Sequence, residues 1–205
     1  MRSGQPQDPE SLLRWARTAG GAALGELLEP YSGYLALLAR LQIGRRLQGK
    51  VDAADLVQET FLEAHRHFAR FQGSTEAELV AWLRQILAAR LAKLVRRYLG
   101  TQRRNVRLEQ QLVVELEQSS QVLDQGLMAA SSSPSHQAAR REQAVLLGAA
   151  LEQLPEDYRE VLILRHLEGL SFPEVAQRMG RTVLSVKKLW ARALPRLRDI
   201  LTGPS

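Results

Sequence analysis

The sequence predicts an all-α protein of two small helical domains joined by a flexible linker. Three observations carry that expectation. Apolar residues recur at helical spacing along most of the chain. Strand-like alternation and β-hairpin turn signals are scarce. Between two periodic stretches lies a run crowded with Ser119, Ser120, Ser131, Ser132, Ser133 and Ser135, together with Gly126 and Pro134. A chain of 205 residues, 45% hydrophobic, can bury two modest cores and is too apolar for wholesale disorder. The expected division is an N-terminal extension with a short helix (1–21), a first domain (22–105), the linker (106–139) and a second domain (140–201).

Each element has its own signals. Asp8 can cap a first helix, with Pro9 in its first turn. A second helical stretch runs from about Ala22 to Leu47, and Pro30 should break or kink it. After Gly49, Asp52 is an N-cap candidate, and Val57, Phe61, Ala64 and Phe68 form an apolar stripe. Gly73 ends that segment. Thr75 and Glu78 then form a capping-box pair ahead of a long helix whose apolar face is Leu83, Leu87, Leu91, Leu94 and Tyr98, with Gly100 as its stop. Within the linker, Leu116, Val122, Leu123, Leu127 and Met128 suit a short docking helix.

The second domain reads as a helix-turn-helix. Pro155 opens a helix running to about His166, and Gly169 breaks it. Ser171 and Glu174 make another capping box, and Val175, Ala176 and Met179 face inward. Gly180 supplies the turn and Thr182 caps the next helix, whose inner face is Val186, Trp190, Ala193 and Leu197. Pro195 should kink that helix or end its regular part. Arg181, Lys187, Lys188 and Arg192 cluster off the inner face. They suit phosphates beside a major groove, or else a solvated surface. Leu184 and Leu189 are unusual on a DNA-facing helix: packing, a thymine methyl or a protein partner would each suit them.

Charge and composition narrow the function. Against 22 Asp+Glu stand 28 Lys+Arg, a net +6 that favours an anionic partner only weakly. The distribution says more. From Leu79 to Leu108 there is no acid but eight bases: Arg84, Arg90, Lys93, Arg96, Arg97, Arg103, Arg104 and Arg107. Arg90, Lys93 and Arg97 share one helical stripe that suits a phosphate backbone. Trp82 and Tyr98 suit either base stacking or the core. On the preceding helix Asp55 and Glu59, near Asp52, form an acidic patch better matched to a protein partner than to acid–base catalysis. Without Cys, disulfides and thiolate chemistry are excluded, and His65, His67, His136 and His166 make no metal-ligand pattern. No phosphate-binding glycine loop and no coherent triad is present, so neither an enzyme nor a cofactor is expected. No apolar run approaches a membrane span and no signal core follows the N-terminus. The expectation is a cytoplasmic protein without membrane insertion.

Two blocks of residues are more specific. Asp52-Ala-Ala-Asp55-Leu56-Val57-Gln58-Glu59-Thr60-Phe61 closely resembles region 2 of bacterial sigma-70 family sigma factors, of the extracytoplasmic-function (ECF) type. Ala81-Trp82-Leu83 and the basic helix after it resemble the promoter-melting part of the same region. Leu154-Pro155-Glu156-Asp157-Tyr158-Arg159-Glu160-Val161 and Leu170-Ser171-Phe172-Pro173-Glu174-Val175-Ala176 resemble region 4. The resemblance covers roughly Leu24 to Leu201. It implies that Asp52, Asp55, Gln58 and Glu59 engage the clamp of core RNA polymerase. It implies that Trp82, Arg90, Lys93, Arg96 and Arg97 hold the −10 element and its non-template single strand. It further implies that Arg181, Thr182, Ser185, Lys187, Lys188 and Arg192 read the −35 duplex, with region 4 also touching the polymerase flap. An anti-sigma factor is a common partner in the family, and the holoenzyme would sit on the nucleoid. Arg96-Arg97-Tyr98, Gln102-Arg103-Arg104 and Leu189-Trp190-Ala191-Arg192 are similar in style to planctomycete sigma factors. The sequence departs from the family at Ala89, Arg90 and Lys93, where Asn, Asn and Asp are usual, and at Leu189, where Arg is common. The Asn departures keep one rival open, an all-α docking module that binds polymerase or an anti-sigma partner without melting promoters; a second rival is a stand-alone helix-turn-helix regulator.

Overall fold

The computed structural model of the protein describes residues 8–46, 52–99, 106–126 and 134–202, and every described element is helical. The helices form two clusters, within residues 1–121 and 122–205.

In the first cluster, α1 (Pro9–Ala19) starts where Asp8 accepts a hydrogen bond from the Ser11 N–H at 2.8 Å. Pro30 divides the next stretch as its chemistry requires. Helix α2 (Gly21–Leu28) ends in a 3₁₀ turn over Glu29–Tyr31, and α3 (Ser32–Arg46) follows. Tyr34, Leu35, Leu37, Leu38 and Leu41 leave α3 buried on nearly every side, so it is the central helix. Helix α4 (Ala53–His67) and helix α5 (Glu76–Leu99) pack against it and against each other. The α4 face differs from the stripe expected. Val57, Ala64 and Phe68 are buried, but Phe61 is only half-buried, and Leu56 and Thr60 complete the face instead. Thr60 is tolerated there because its hydroxyl donates to the Leu56 carbonyl at 2.8 Å.

The serine-rich stretch holds more structure than its pattern suggested. Helix α6 (Val106–Gly126) is 21 residues long. Leu112 and Leu116 are fully buried, and Ser119 and Ser120 extend the same buried face. The Tyr34 hydroxyl donates to Ser120 Oγ at 2.9 Å, and the Gln42 amide donates to Ser119 Oγ at 3.3 Å. Two polar residues thus occupy inward positions, which breaks the apolar period while the helix continues. Leu127, Met128, Ser131 to Ser133, Arg103 and Arg104 lie outside the described residues, as do Gly49 and Gly100.

In the second cluster, α7 (Pro134–Glu152) leads to α8 (Glu156–Leu162), which widens into a π turn over Ile163–Leu167. Gly169 takes φ +73°, helix α9 (Phe172–Arg178) follows, and Gly180 at φ +62° makes the turn into α10 (Val183–Thr202). Val175 and Ala176 of α9 and Val186 and Ala193 of α10 are buried, and Trp190 is half-buried. Pro195 does not end α10, which continues past it to Thr202. Pro195 and Ala191 are both exposed, so the carbonyl that loses its intrahelical partner there faces solvent.

Candidate nucleic-acid interface

The acidic face of α4 is set by its cap and its core. Asp52 accepts from the Ala54 N–H at 2.9 Å, which fixes the helix start. Burial of Ala53, Leu56, Val57 and Thr60 turns Asp55, Gln58 and Glu59 outward, and all three are exposed. Leu62 extends that face at 60% exposure. Sequence reasoning missed Leu62, although its spacing from Asp55, Gln58 and Glu59 marks it. A large apolar side chain amid carboxylates suits a protein surface that is itself mixed in character.

On α5 the capping box forms as expected. The Glu78 carboxylate accepts from the N–H groups of Ser74 at 2.7 Å and Thr75 at 3.0 Å. Those backbone donors, Ser74 first, hold the Glu78 carboxyl below its usual range. Leu79, Val80, Leu83, Leu87, Ala88, Leu91 and Val95 form the buried face. Trp82 is half-buried and stacks on Phe71 with centroids 4.7 Å apart, in an aromatic cluster with Phe68.

The basic residues of α5 fall into two groups. Three are ion-paired to neighbouring helices. Arg84 meets Glu117 at 2.6 Å and donates to the Tyr34 and Ser120 hydroxyls, each at 3.0 Å. Arg96 meets Glu109 at 3.0 Å. Arg90 meets Glu63 of α4 at 3.0 Å, where His67 and Arg66 also contact the carboxylate, at 3.1 and 3.3 Å. Desolvation works against ionisation of Glu63, but the Arg90 charge and the His67 hydrogen bond prevail and its pKa lies below the usual value. Lys93 and Arg97 are exposed. The stripe expected from helical spacing therefore has two open cations, while Arg90 is latched sideways. Glu63, Glu109 and Glu117 were missed because pairing across helices has no signature in linear spacing.

In the second cluster the capping box of α9 is formed, with Ser171 N–H and Oγ donating to Glu174 at 2.7 and 2.6 Å. The Ser171 hydroxyl, then its backbone N–H, hold the Glu174 carboxyl below its usual range. Two contacts fix α10. Arg181 meets Asp157 at 2.7 Å. The Trp190 indole N–H donates to His166 Nε2 at 2.9 Å, with Phe172 edge-on to the indole at 5.6 Å. Burial, and then the Arg165 charge, lower the His166 pKa, and the neutral ring is the form that can accept from Trp190. Thr182 Oγ1 accepts from the Ser185 N–H at 3.2 Å. Lys187 lies over the Phe172 ring at 5.7 Å. Lys187, Lys188 and Arg192 are exposed, and none has an ion pair among the described residues. Leu184, Lys188 and Arg192 follow one another four residues apart along this outer face.

Among the described residues no group of three His, Asp or Glu side chains could hold a metal, and no helix is long and apolar enough to cross a membrane.

Residues 31–103 match the family model for sigma-70 region 2, and residues 144–197 match that for sigma-70 region 4. The ECF RNA polymerase sigma-E factor of Escherichia coli K12 is 32% identical over 142 residues, 69% of this chain and 70% of that protein. The ECF RNA polymerase sigma factor SigM of Bacillus subtilis is 29% identical over 148 residues, 72% of this chain and 78% of that one. A solved structure of CnrH in complex with the cytosolic domain of CnrY aligns at 25% identity with a TM-score of 0.36, covering 97% of this chain and 100% of that one.

Proposed function

The chain belongs to the sigma-70 family of RNA polymerase sigma factors, in its ECF group, and from that membership we propose that it binds core polymerase and directs it to promoters. Asp52, Asp55, Gln58 and Glu59 are the proposed clamp contacts, with Leu62 as their apolar neighbour. Trp82, Arg90, Lys93, Arg96 and Arg97 are the proposed −10 residues. Of these, Lys93 and Arg97 are best placed for phosphates, while Arg90 and Arg96 shape the surface through their acidic partners. Arg181, Thr182, Ser185, Lys187, Lys188 and Arg192 are the proposed −35 set, presented by a helix-turn-helix made of α9 and α10. In this reading residues 22–105 act as region 2 and 140–201 as region 4, with 106–139 between them. Joining two weak DNA sites in one chain raises the effective concentration for the second contact. Polymerase supplies the catalysis, and the site of action is the cytoplasm. We further propose a planctomycete-type source and an anti-sigma factor as a partner.

The observation that supports this reading most is the outer face of α10, where Lys188 and Arg192 stand exposed without an acidic partner among the described residues. One observation favours a second reading, a polymerase-docking protein that does not melt DNA. Arg90 stands where the family usually has Asn, and Glu63 holds it.

The test is promoter-specific transcription, with core polymerase from the source bacterium and genomic promoter fragments. Discrete starts that appear with the chain, and vanish when Asp55→Lys and Glu59→Lys are combined, are the expected result. The double reversal should weaken core binding at least tenfold, since like charges across an interface are strongly unfavourable. Core binding without starts would favour the docking reading. Neither binding nor starts from folded protein would overturn both.

A further inference from the structure

We propose that Leu184 is a specificity-determining residue of the −35 reading helix, and that it recognises the C5-methyl group of a thymine in the major groove. The inference rests on the proposed promoter function and adds to it a base and an atom.

Leu184 is the most exposed large hydrophobic side chain of the described residues, at 64%. Its neighbour Val183 is 37% exposed, so the first turn of α10 presents an apolar tip. The core of this cluster does not use it: Val186 and Ala193 supply the buried contacts of α10, and Trp190 closes the inner side against His166 and Phe172. A single exposed Leu is ordinary on a protein surface, but Val183 and Leu184 adjoin in the first turn of α10, and it is that paired apolar tip which a partner would meet.

The surroundings of Leu184 indicate which partner. Lys188 and Arg192 follow it on the same outer face, and from Val175 to Arg198 the chain contains no Asp or Glu. Such a field suits a polyanion. A duplex presents one apolar feature in its major groove, the thymine methyl, and the first residues of a reading helix are those that approach base edges. Thr182 has its hydroxyl engaged in capping, accepting from the Ser185 N–H. That bond leaves the Thr182 O–H free to donate, so at this tip Leu184 adds an apolar contact beside a hydrogen-bonding one.

The test uses the full chain in holoenzyme with duplexes enriched from a random-sequence pool. Each thymine of the enriched −35 sequence is replaced singly by deoxyuridine, which deletes the methyl and keeps the O4 acceptor and the base pair. With the natural chain, deoxyuridine at one position should weaken binding about fourfold, the equivalent of one buried methylene-sized group. Leu184→Ala, which removes exposed atoms and favours helix, should bind the thymine and deoxyuridine duplexes equally. Tolerance of deoxyuridine at every position, or a penalty that survives in Leu184→Ala, overturns the assignment alone. If no sequence is enriched at all, the promoter reading fails and this one with it.

Discussion

Helices α5 and α10 are both basic, yet they spend their cations differently. On α5, Arg84, Arg90 and Arg96 are each paired to an acid on another helix, Glu117, Glu63 and Glu109. On α10, Lys187, Lys188 and Arg192 have no ion pair among the described residues. The same composition thus yields an internal fastening in one cluster and an open electrostatic surface in the other. Arginine suits the first use, because its planar fork can satisfy a carboxylate and two hydroxyls together, as Arg84 does. Counting basic residues along a helix therefore overstates the surface available to nucleic acid.

The largest effect that could break this contrast concerns Arg84, whose side chain is 13% exposed. Arg84→Ala should destabilise the first cluster by about 2 kcal/mol, through loss of a partly buried pair and of hydrogen bonds to Tyr34 and Ser120. Urea unfolding measures this. An unchanged midpoint, with weaker DNA binding instead, would make Arg84 a surface cation like those of α10. Lys188→Ala should do the opposite. Stability should move by less than about 0.5 kcal/mol, DNA affinity should fall similarly for all sequences, and the slope of log affinity against log salt should shrink by about 1. A drop confined to one base pair would instead make Lys188 a base reader. The smallest effect is one of pH. His166 has its pKa lowered from 6.5 by burial and Arg165, so the unfolded chain takes up the proton first. The stabilising contribution of neutral His166 is present above pH 6.5 and is lost as the pH falls through the lower folded value. The melting temperature of the second cluster should decline over that window, and His166→Gln should flatten the decline.

The sequence revealed local features better than tertiary ones. Both capping boxes, the break at Pro30 and the turn at Gly180 were readable, because each depends on residues within four positions of one another. The outward pair Asp55 and Glu59 was readable for the same reason, while Gln58 came only with the family resemblance. The length of α6 was not, since its buried face is finished by Ser119 and Ser120 against Gln42 and Tyr34, partners 77 and 86 residues away in the chain. The latching of Arg90 was hidden in the same way, since Glu63 sits on another helix and no period connects them. The continuation of α10 past Pro195 was not legible either, because the cost of a helical proline depends on exposure, which periodicity does not supply.

The wide turn at Ile163–Leu167 carries a consequence for chain length. A π turn holds one residue more than the α-helical turn it replaces, so it is an insertion absorbed without breaking the rod. Each residue in a helix advances the direction of its side chains by about 100°. The Glu168 N–H reaching back five residues to the Ile163 carbonyl at 3.0 Å marks where that extra step is taken up. A chain one residue shorter here would keep α8 and α10 intact and still point its imidazole elsewhere, leaving the Trp190 indole N–H to find water.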